Sequence, residues 1–521
     1  MPSADGALIH SSPLGDFDVP DVLITELVLR HVGALGDKPA LVDAASGRTI
    51  TYAQLGDGIR RLAGGLVARG FAPGGVIAIM APNCPEYAIA FLGAAYAGGT
   101  VTTVNPSYTE REVRHQLDDA QPSLMIVASA FLDTARAAAA NGSVQEFFLL
   151  DDADGAPRFT ELYGDPLDAP VAVPLDAPVA IPYSSGTTGL SKGVVLTHRN
   201  LVVNVLQTIP PLGLVEDDVV IAVLPFFHIY GMQIIMNATF AVGGTVVTMP
   251  RFDLEGFLRA HQDHGITRSY VAPPIAVQLA KQPIVDDFDL SAVKQVFSGA
   301  APLSAEVQRE IEARVGCKVE QGYGMTELAG ASHVTPRTGC KQGSVGVTVP
   351  NAQTMIVDPA TGASLGYDVD GEVWVRGAMV MRGYLNNPEA TAATIDDDGW
   401  LHTGDIGHVD DDGHLYIVDR LKELIKYKAW QVAPAELEAV LLTHPAVADA
   451  AVVGEPDDEA GEVPVGFVVL KSGARATDDE ILAYVAGEVA GYKQLRKLTF
   501  IETVPKSPSG KILRRLLRDQ R

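Results

Sequence analysis

Cysteine is scarce in this chain: three residues in 521, Cys84, Cys317 and Cys340, odd in number and far apart. That excludes a disulfide framework and leaves no zinc spacing, so a reducing, cytoplasmic setting is expected. Basic residues are also short. Lys plus Arg is 39 against 64 Asp plus Glu, a net charge of −25. A protein of that sign repels polyanions, which excludes nucleic acid and anionic membrane as global partners. An anionic small molecule stays open, because charge is screened beyond roughly 8 Å in physiological salt and a local basic pocket overrides the global sign. Long apolar runs are missing too. The most apolar stretch, Met232 to Met249, is interrupted by Gln233, Asn237 and Gly243-Gly244. It reads as a buried helix and strand, not a membrane span. The first thirty residues lack a basic segment followed by an apolar one, so no signal peptide is read.

What is present is an ordinary globular composition, 47% hydrophobic and 20% charged, in a chain too long for one core. From Thr51 to Val127, helical and buried-strand patterns alternate: Arg60 to Arg69 amphipathic, Val76 to Met80 a strand, Pro85 to Tyr96 a helix, Thr100 to Val104 a strand. Alternation of this kind predicts α/β layers around a largely parallel sheet. A tandem repeat, PLDAPVAVP at Pro166 to Pro174 and PLDAPVAIP at Pro174 to Pro182, reads as a linker whose second copy runs into a strand. A boundary is expected near Asp419-Arg420, giving a large domain over 1–419 and a small one over 420–521. In the small one, Lys422 to Lys426 and Lys428 to Val432 read as strands around a turn. Pro434 starts a helix, Val447 to Gly454 and Val463 to Leu470 read as strands, and Asp478 to Ala490 as a helix.

Five segments carry chemistry. Tyr183 to Gly193, YSSGTTGLSKG, packs three glycines, five serine and threonine hydroxyls and Lys192 into eleven residues. Glycines let backbone N–H groups approach a phosphate, hydroxyls donate to its oxygens, and the lysine adds charge. It is not a Walker A loop: counted from Gly186, the second glycine falls on Ser191, and Gly193 follows Lys192. Gln321 to Glu327, QGYGMTE, offers Glu327 as a hard oxygen ligand for Mg²⁺ and Thr326 as a phosphate donor. In GWLHTGDIG, Asp405 between two glycines suits a carboxylate that accepts ribose hydroxyls. Asp419 to Gln431, DRLKELIKYKAWQ, and Lys506 to Arg515, KSPSGKILRR, are basic islands in an acidic chain. His228 sits among aromatics in PFFHIYG. Each segment alone also fits a solvated turn, a charged edge or a satisfied core residue.

Their order is more telling. YSSGTTGLSKG, PFFHIYG, SGAAPL, QGYGMTE, GWLHTGD, DRLKELIKYK, QVAPAELE and KSPSGK run across nearly the whole chain. The sequence therefore resembles the adenylate-forming superfamily of acyl-CoA synthetases, adenylation domains and luciferases, and within it the 4-coumarate–CoA ligase type. The resemblance implies an α/β fold: a large multi-subdomain N-terminal domain with layered α/β sheets plus a small mobile C-terminal α+β domain. It implies an ATP-dependent ligase that makes an acyl-AMP and then a CoA thioester, with ATP, Mg²⁺ and coenzyme A as cofactors. By the same resemblance, Ser184, Ser185, Gly186, Thr187, Thr188, Gly189 and Lys192 hold the β- and γ-phosphates. Glu327 and Thr187 serve the metal, and Thr326 contacts the α-phosphate. Gly299, Ala300, Ala301, Pro302, Gln321, Gly322 and Tyr323 frame the adenine, and Asp405 and Arg420 hold the ribose. Lys511 bridges carboxylate and α-phosphate. The C-terminal domain then swings about Lys422, so that Lys426, Lys428, Ala429, Trp430 and Gln431 meet the adenylate beside the CoA path. His228 gates that path.

The chain departs from the resembled pattern at Ala429, where relatives carry glycine in the CoA tunnel; a methyl group there is expected to slow the thioester half-reaction. The acyl pocket is assigned to Tyr230, Ile234, Ala300, Gly324, Gly330 and Ala331, an apolar set suited to cinnamate-like or medium-chain acids. The alternatives are a medium-chain fatty acyl-CoA synthetase and a non-catalytic nucleotide-binding relative. No nucleic acid or membrane partner is expected, and monomer and homodimer are both left open.

Overall fold

A computed structural model describes residues 7–184, 191–428, 430–457, 460–507 and 510–518, with the backbone alone of Gln431. The expected α/β layering is what the chain adopts. Four sheets organise it. In the first, Pro178–Ser184, Thr100–Val104, Val76–Met80, Leu124–Val127 and Glu146–Leu149 lie parallel in that order. Lys192–Thr197 and Gly383–Tyr384 add antiparallel edges. In the second, Lys318–Met325, Gln295–Ser298, Arg268–Val271, Val219–Ala222, Thr245–Thr248 and Pro39–Asp43 are parallel. Parallel strands covered by helices on both faces read as continuous apolar runs, which is why VIAIM and TVVT were legible. One core of buried residues, from Ile24 through Leu415, joins these two sheets to the third.

The third sheet is antiparallel: His10–Ser11, Ala352–Val357, Gly371–Gly377, Leu401–Val409 and Leu415–Arg420. The fourth begins only at Ile425. It pairs Trp430–Val432, Ile425–Tyr427, Gly461–Leu470 and Val447–Asp457, with Lys497–Phe500 alongside, and has its own cores around Leu437 and Val465.

The expected repeat strand appears as Pro178–Ser184. Met232 to Met249 is internal apart from half-buried Val242, as expected, but its helix opens as a π-helix over Tyr230–Asn237 before Ala238–Val242 and the strand Thr245–Thr248. Single π turns inside helices concentrate at functional sites. The strand expected at Lys422 starts later, because Glu423 and Leu424 donate their backbone N–H groups to the Arg420 carbonyl and close a turn first. The helix expected to reach Ala490 is Asp478–Glu488. Among the described residues, no helix is long and apolar enough to cross a membrane.

Candidate active site

Ligands of open α/β sheets sit beyond the carboxyl ends of the parallel strands. Here Thr100–Val104, Pro178–Ser184, Val219–Ala222, Gln295–Ser298 and Lys318–Met325 all release their loops into one cavity of about 1190 Å³. Its wall carries Lys192, Arg420, Lys422, Lys506, Lys511 and Arg515, a basic concentration inside a protein of charge −25.

The phosphate-type loop is described at its two ends; Ser185 to Gly189 lie outside the described residues, and with them the Thr187 metal assignment. Ser184 Oγ donates to Glu327 Oε1 at 2.8 Å, and Tyr384 Oη donates to the same oxygen at 2.9 Å. Both bonds go to Oε1. Lys192 Nζ rests 4.3 Å above the Tyr384 ring, and the His115 ring Nε2 meets the Ser191 carbonyl at 2.9 Å. The loop therefore leaves and returns between two fixed anchors, with Glu327 buried beside it and Thr326 next in the wall. Among the described residues no cluster of three or more His, Cys, Asp or Glu forms a ready-made cation cage. A single carboxylate with one oxygen committed fits Mg²⁺, which takes one or two protein carboxylates and completes its shell from water and substrate phosphates. Sequence reasoning missed Tyr384 and His115; an isolated aromatic after Gly383 and a histidine in a surface helix carry no signal of their own.

Among the residues expected to hold the nucleoside, Tyr323 Oη donates to Asp405 Oδ2 at 2.6 Å, and Arg420 Nε pairs with Asp405 Oδ1 at 3.2 Å. Burial pushes the Asp405 carboxyl up, opposed by the Arg420 charge and the Tyr323 hydrogen bond. Arg420 is directly opposite Asp405 in the strand pair, so both side chains leave one sheet face; Arg420 lines the cavity and Asp405 is buried behind it. Gly299, Ala300 and Gly322 line the wall. Ala300 takes φ 72°, a left-handed value that a non-glycine residue adopts at a cost and that recurs at binding sites. Gln321 does not face the cavity. Its amide exchanges two hydrogen bonds with the Leu303 backbone, at 2.9 and 3.1 Å, and holds the turn of Ala301 and Pro302 in place. Those three support the nucleoside wall from behind.

All six residues assigned to the acyl pocket meet in the wall: Tyr230, Ile234, Ala300, Gly324, Gly330 and Ala331. Gly324 is required: a Cβ there would sit 1.9 Å from the Gly330 carbonyl oxygen. Tyr230 does not offer its hydroxyl to a ligand, because it donates to the Phe297 carbonyl at 3.2 Å. The pocket is thus apolar on the Ile234 side. His228 lines the same wall; its Nδ1 accepts the Tyr230 backbone N–H at 3.3 Å, which leaves the proton on Nε2. Burial, with the Lys511 charge nearby, lowers it to about 4, so it is a neutral imidazole at physiological pH.

Lys511 arrives from the other end of the chain. Gly510, at φ 83°, would bring a Cβ within 2.9 Å of Ala272 Cβ, so glycine is what allows this turn to seat against the large domain. Ser507 Oγ accepts the Lys511 backbone N–H at 3.1 Å. Burial, followed by the Arg420 charge, lowers Lys511 to about 8. The other basic island divides: Arg420 and Lys422 line the cavity, and the rest points elsewhere. Lys426 and Lys428 are exposed, and Trp430, 57% exposed, stacks on Tyr492 at 4.8 Å. Ala429 and the Gln431 side chain lie outside the described residues. The structure brings Lys511 and His228 together and leaves Lys426, Lys428 and Trp430 on the outer face.

Comparison with known proteins agrees with this architecture. The family described as AMP-binding enzyme matches residues 29–385, and the AMP-binding enzyme C-terminal domain matches 436–511. The 4-coumarate–CoA ligase 3 of Oryza sativa is 44% identical over 528 residues, 99% of this chain and 95% of the relative. The 4-coumarate–CoA ligase 1 of Petroselinum crispum is 44% identical over 98% of this chain and 96% of its own. Among solved structures, ATP-bound MatB from Rhodopseudomonas palustris superposes with TM-score 0.86 at 30% identity, over 95% of this chain and 98% of that one. A benzoate CoA ligase from Burkholderia xenovorans gives TM-score 0.87 at 26% identity, over 95% and 100%.

Proposed function

The chain belongs to the AMP-binding enzyme family, and from that premise we propose that it is a cytosolic, ATP- and Mg²⁺-dependent acid–CoA ligase acting on an aromatic propenoic acid of the 4-coumarate type. One observation carries this reading: Lys511, Lys192 and the Glu327 carboxylate share a cavity with the apolar Tyr230–Ile234 wall.

The chemistry has two steps. A carboxylate oxygen attacks the α-phosphorus of ATP; the bond to the bridging β-oxygen breaks and pyrophosphate leaves. The CoA sulfur then attacks the acyl carbon, the bond to AMP breaks, and AMP leaves with the thioester formed. The first step joins two anions, so fixed cations lower its barrier. Lys511 sits where it meets both, and needs only charge and position. Thr326 and the Ser184 to Lys192 loop hold phosphates, and Glu327 is the residue that would ligate Mg²⁺, whose charge offsets that of the phosphates. Asp405 accepts ribose hydroxyls, and the Arg420 charge opposes the burial that pushes its carboxyl up. For the second step the unit after Asp419 rotates at Lys422, withdrawing Lys511 and presenting the Lys426 to Gln431 hairpin past neutral His228.

Lys511 works as a cation, and its charged form is present below about 8 and lost above it. Adenylation, followed as kcat/KM for ATP, falls as pH rises through that value. In Lys511→Arg the descending limb moves to higher pH, because a guanidinium keeps its proton. Lys428, the residue before Ala429, takes φ 54°, and the resembled ligases carry glycine where this chain has Ala429. Ala429→Gly is expected to raise thioester formation from supplied acyl-AMP and leave pyrophosphate release unchanged.

The deciding assay incubates the protein with Mg-ATP and a panel of cinnamates, benzoates and C6 to C16 fatty acids, with and without CoA. Pyrophosphate and acyl-CoA are read from the same tubes. Both signals with cinnamates are expected. Both signals with fatty acids alone move the substrate class to medium-chain acids, and neither signal with any acid overturns the ligase reading.

A further inference from the structure

The strand Leu415–Arg420 ends the third sheet, and its last two residues alternate across it. Arg420 faces the cavity. Asp419 faces the opposite way and is buried at 6% exposure. Its Oδ2 accepts the backbone N–H of Ala435 at 2.9 Å, and its Oδ1 accepts the Arg420 N–H at 2.7 Å. Ala435 is the second residue of the helix Pro434–Thr443, which lies beyond the turn at Lys422. That helix starts without a cap of its own: its N-cap residue is Ala433, with no side chain to accept an orphan N–H. Asp419 fills the position from outside the helix and places a negative charge at the positive end of its dipole. Ile406 and Val418 pack beside it against Leu421, Leu424 and Ala433.

We infer that Asp419 is a positioning residue that holds the pose in which Lys511 reaches the cavity, by capping the Pro434–Thr443 helix across the hinge. The inference rests on the two-step reading above. Asp419 lies before Lys422, and Ala435 after it. Rotation at Lys422 therefore breaks the Asp419 to Ala435 bond, leaving the helix uncapped and Asp419 Oδ2 without that donor, while Oδ1 keeps the Arg420 N–H. The cap adds to the stability of the adenylation pose alone, so its loss shifts the balance toward the other.

The test uses the full chain with Asp419→Ala and Asp419→Asn. Asparagine caps as well as aspartate; alanine does not. Two half-reactions are measured separately: pyrophosphate release without CoA, and thioester formation from synthetic cinnamoyl-AMP with CoA. In Asp419→Ala the first slows by roughly three- to thirty-fold, the equivalent of a lost cap, and the second holds its rate or rises. Asp419→Asn restores the first. A parallel readout needs no turnover: trypsin cleavage at exposed Lys422, Lys426 and Lys428 quickens in the alanine variant and not in the asparagine one. Equal slowing of both half-reactions, or unchanged half-reactions with unchanged cleavage, overturns the inference. If the wild type releases no pyrophosphate while cleavage follows the expected pattern, the latch stands and the ligase reading falls.

Discussion

Lys511→Ala is expected to lower acyl-AMP formation by about 10²–10³-fold, the range seen when one preorganised charge-stabilising group is removed from a reacting centre. The loss falls on one step. Thioester formation from supplied acyl-AMP and CoA stays within roughly threefold of wild type, because in the proposed two-step cycle Lys511 leaves the cavity for that step and adds nothing to its transition state. The argument is positional. Lys511 is carried on a turn seated by Gly510 against Ala272, with its own N–H tied to Ser507. The ammonium shares its surroundings with the Arg420 and Arg514 guanidinium groups and the Glu423 and Asp405 carboxylates. Those charges largely offset one another, so the net cation offered to an incoming carboxylate and phosphate is Lys511 itself. Measuring both half-reactions on one protein preparation decides it. A variant slowed equally in both has lost the domain rather than the charge. A variant slowed in neither shows that Lys192 and Arg420 suffice without it. The neutral state of His228 provides an internal check: its pKa, lowered partly by Lys511, rises in the alanine variant.

The motifs were legible because this chemistry concentrates unusual residues in short segments. Three glycines, five serine and threonine hydroxyls and a lysine in eleven residues announce a phosphate loop without a structure, and the apolar runs announce buried parallel strands. What the sequence hid are partnerships between distant residues whose own types are unremarkable. Tyr384 hydrogen-bonds Glu327 from 57 positions away. Gln321, part of a motif, works on Leu303 rather than on a nucleotide. Asp419 and Arg420 are neighbours with opposite duties, and only strand pairing shows which faces the site. The π-helix at Tyr230 could not be read either: its periodicity over eight residues is too short to separate from an α-helix.

Arg514→Met gives the largest stability effect, about 3–5 kcal/mol, as expected when one partner of a buried ion cluster is removed. Arg514 is nearly enclosed between the hinge turn and the small domain. It makes a bidentate pair with Glu438 at 2.8 Å, an ion pair with Glu423, and a hydrogen bond to the Val452 carbonyl at 3.1 Å. Burial opposes its charge, but Glu438, Glu423 and Asp419 outweigh that and raise its pKa. Burial pushes the Glu438 and Asp419 carboxyls upward despite Arg514. Without the guanidinium both rise further. A carboxyl whose folded pKa exceeds its unfolded value loses stability as pH rises from the unfolded value through the folded one. The variant is therefore expected to lose less at pH 5 than at pH 8. Urea unfolding of wild type and variant at the two pH values, each with Trp374 and Trp400 replaced by Phe so that Trp430 alone reports the small domain, measures it by fluorescence. Adding Glu438→Met to Arg514→Met should recover part of the loss, since an apolar pair leaves one fewer charge buried; full recovery is not expected, because Glu438 also accepts the Val452 N–H at 2.8 Å. An equal loss at both pH values would mean that Arg514 stabilises the domain by packing its stem rather than by charge.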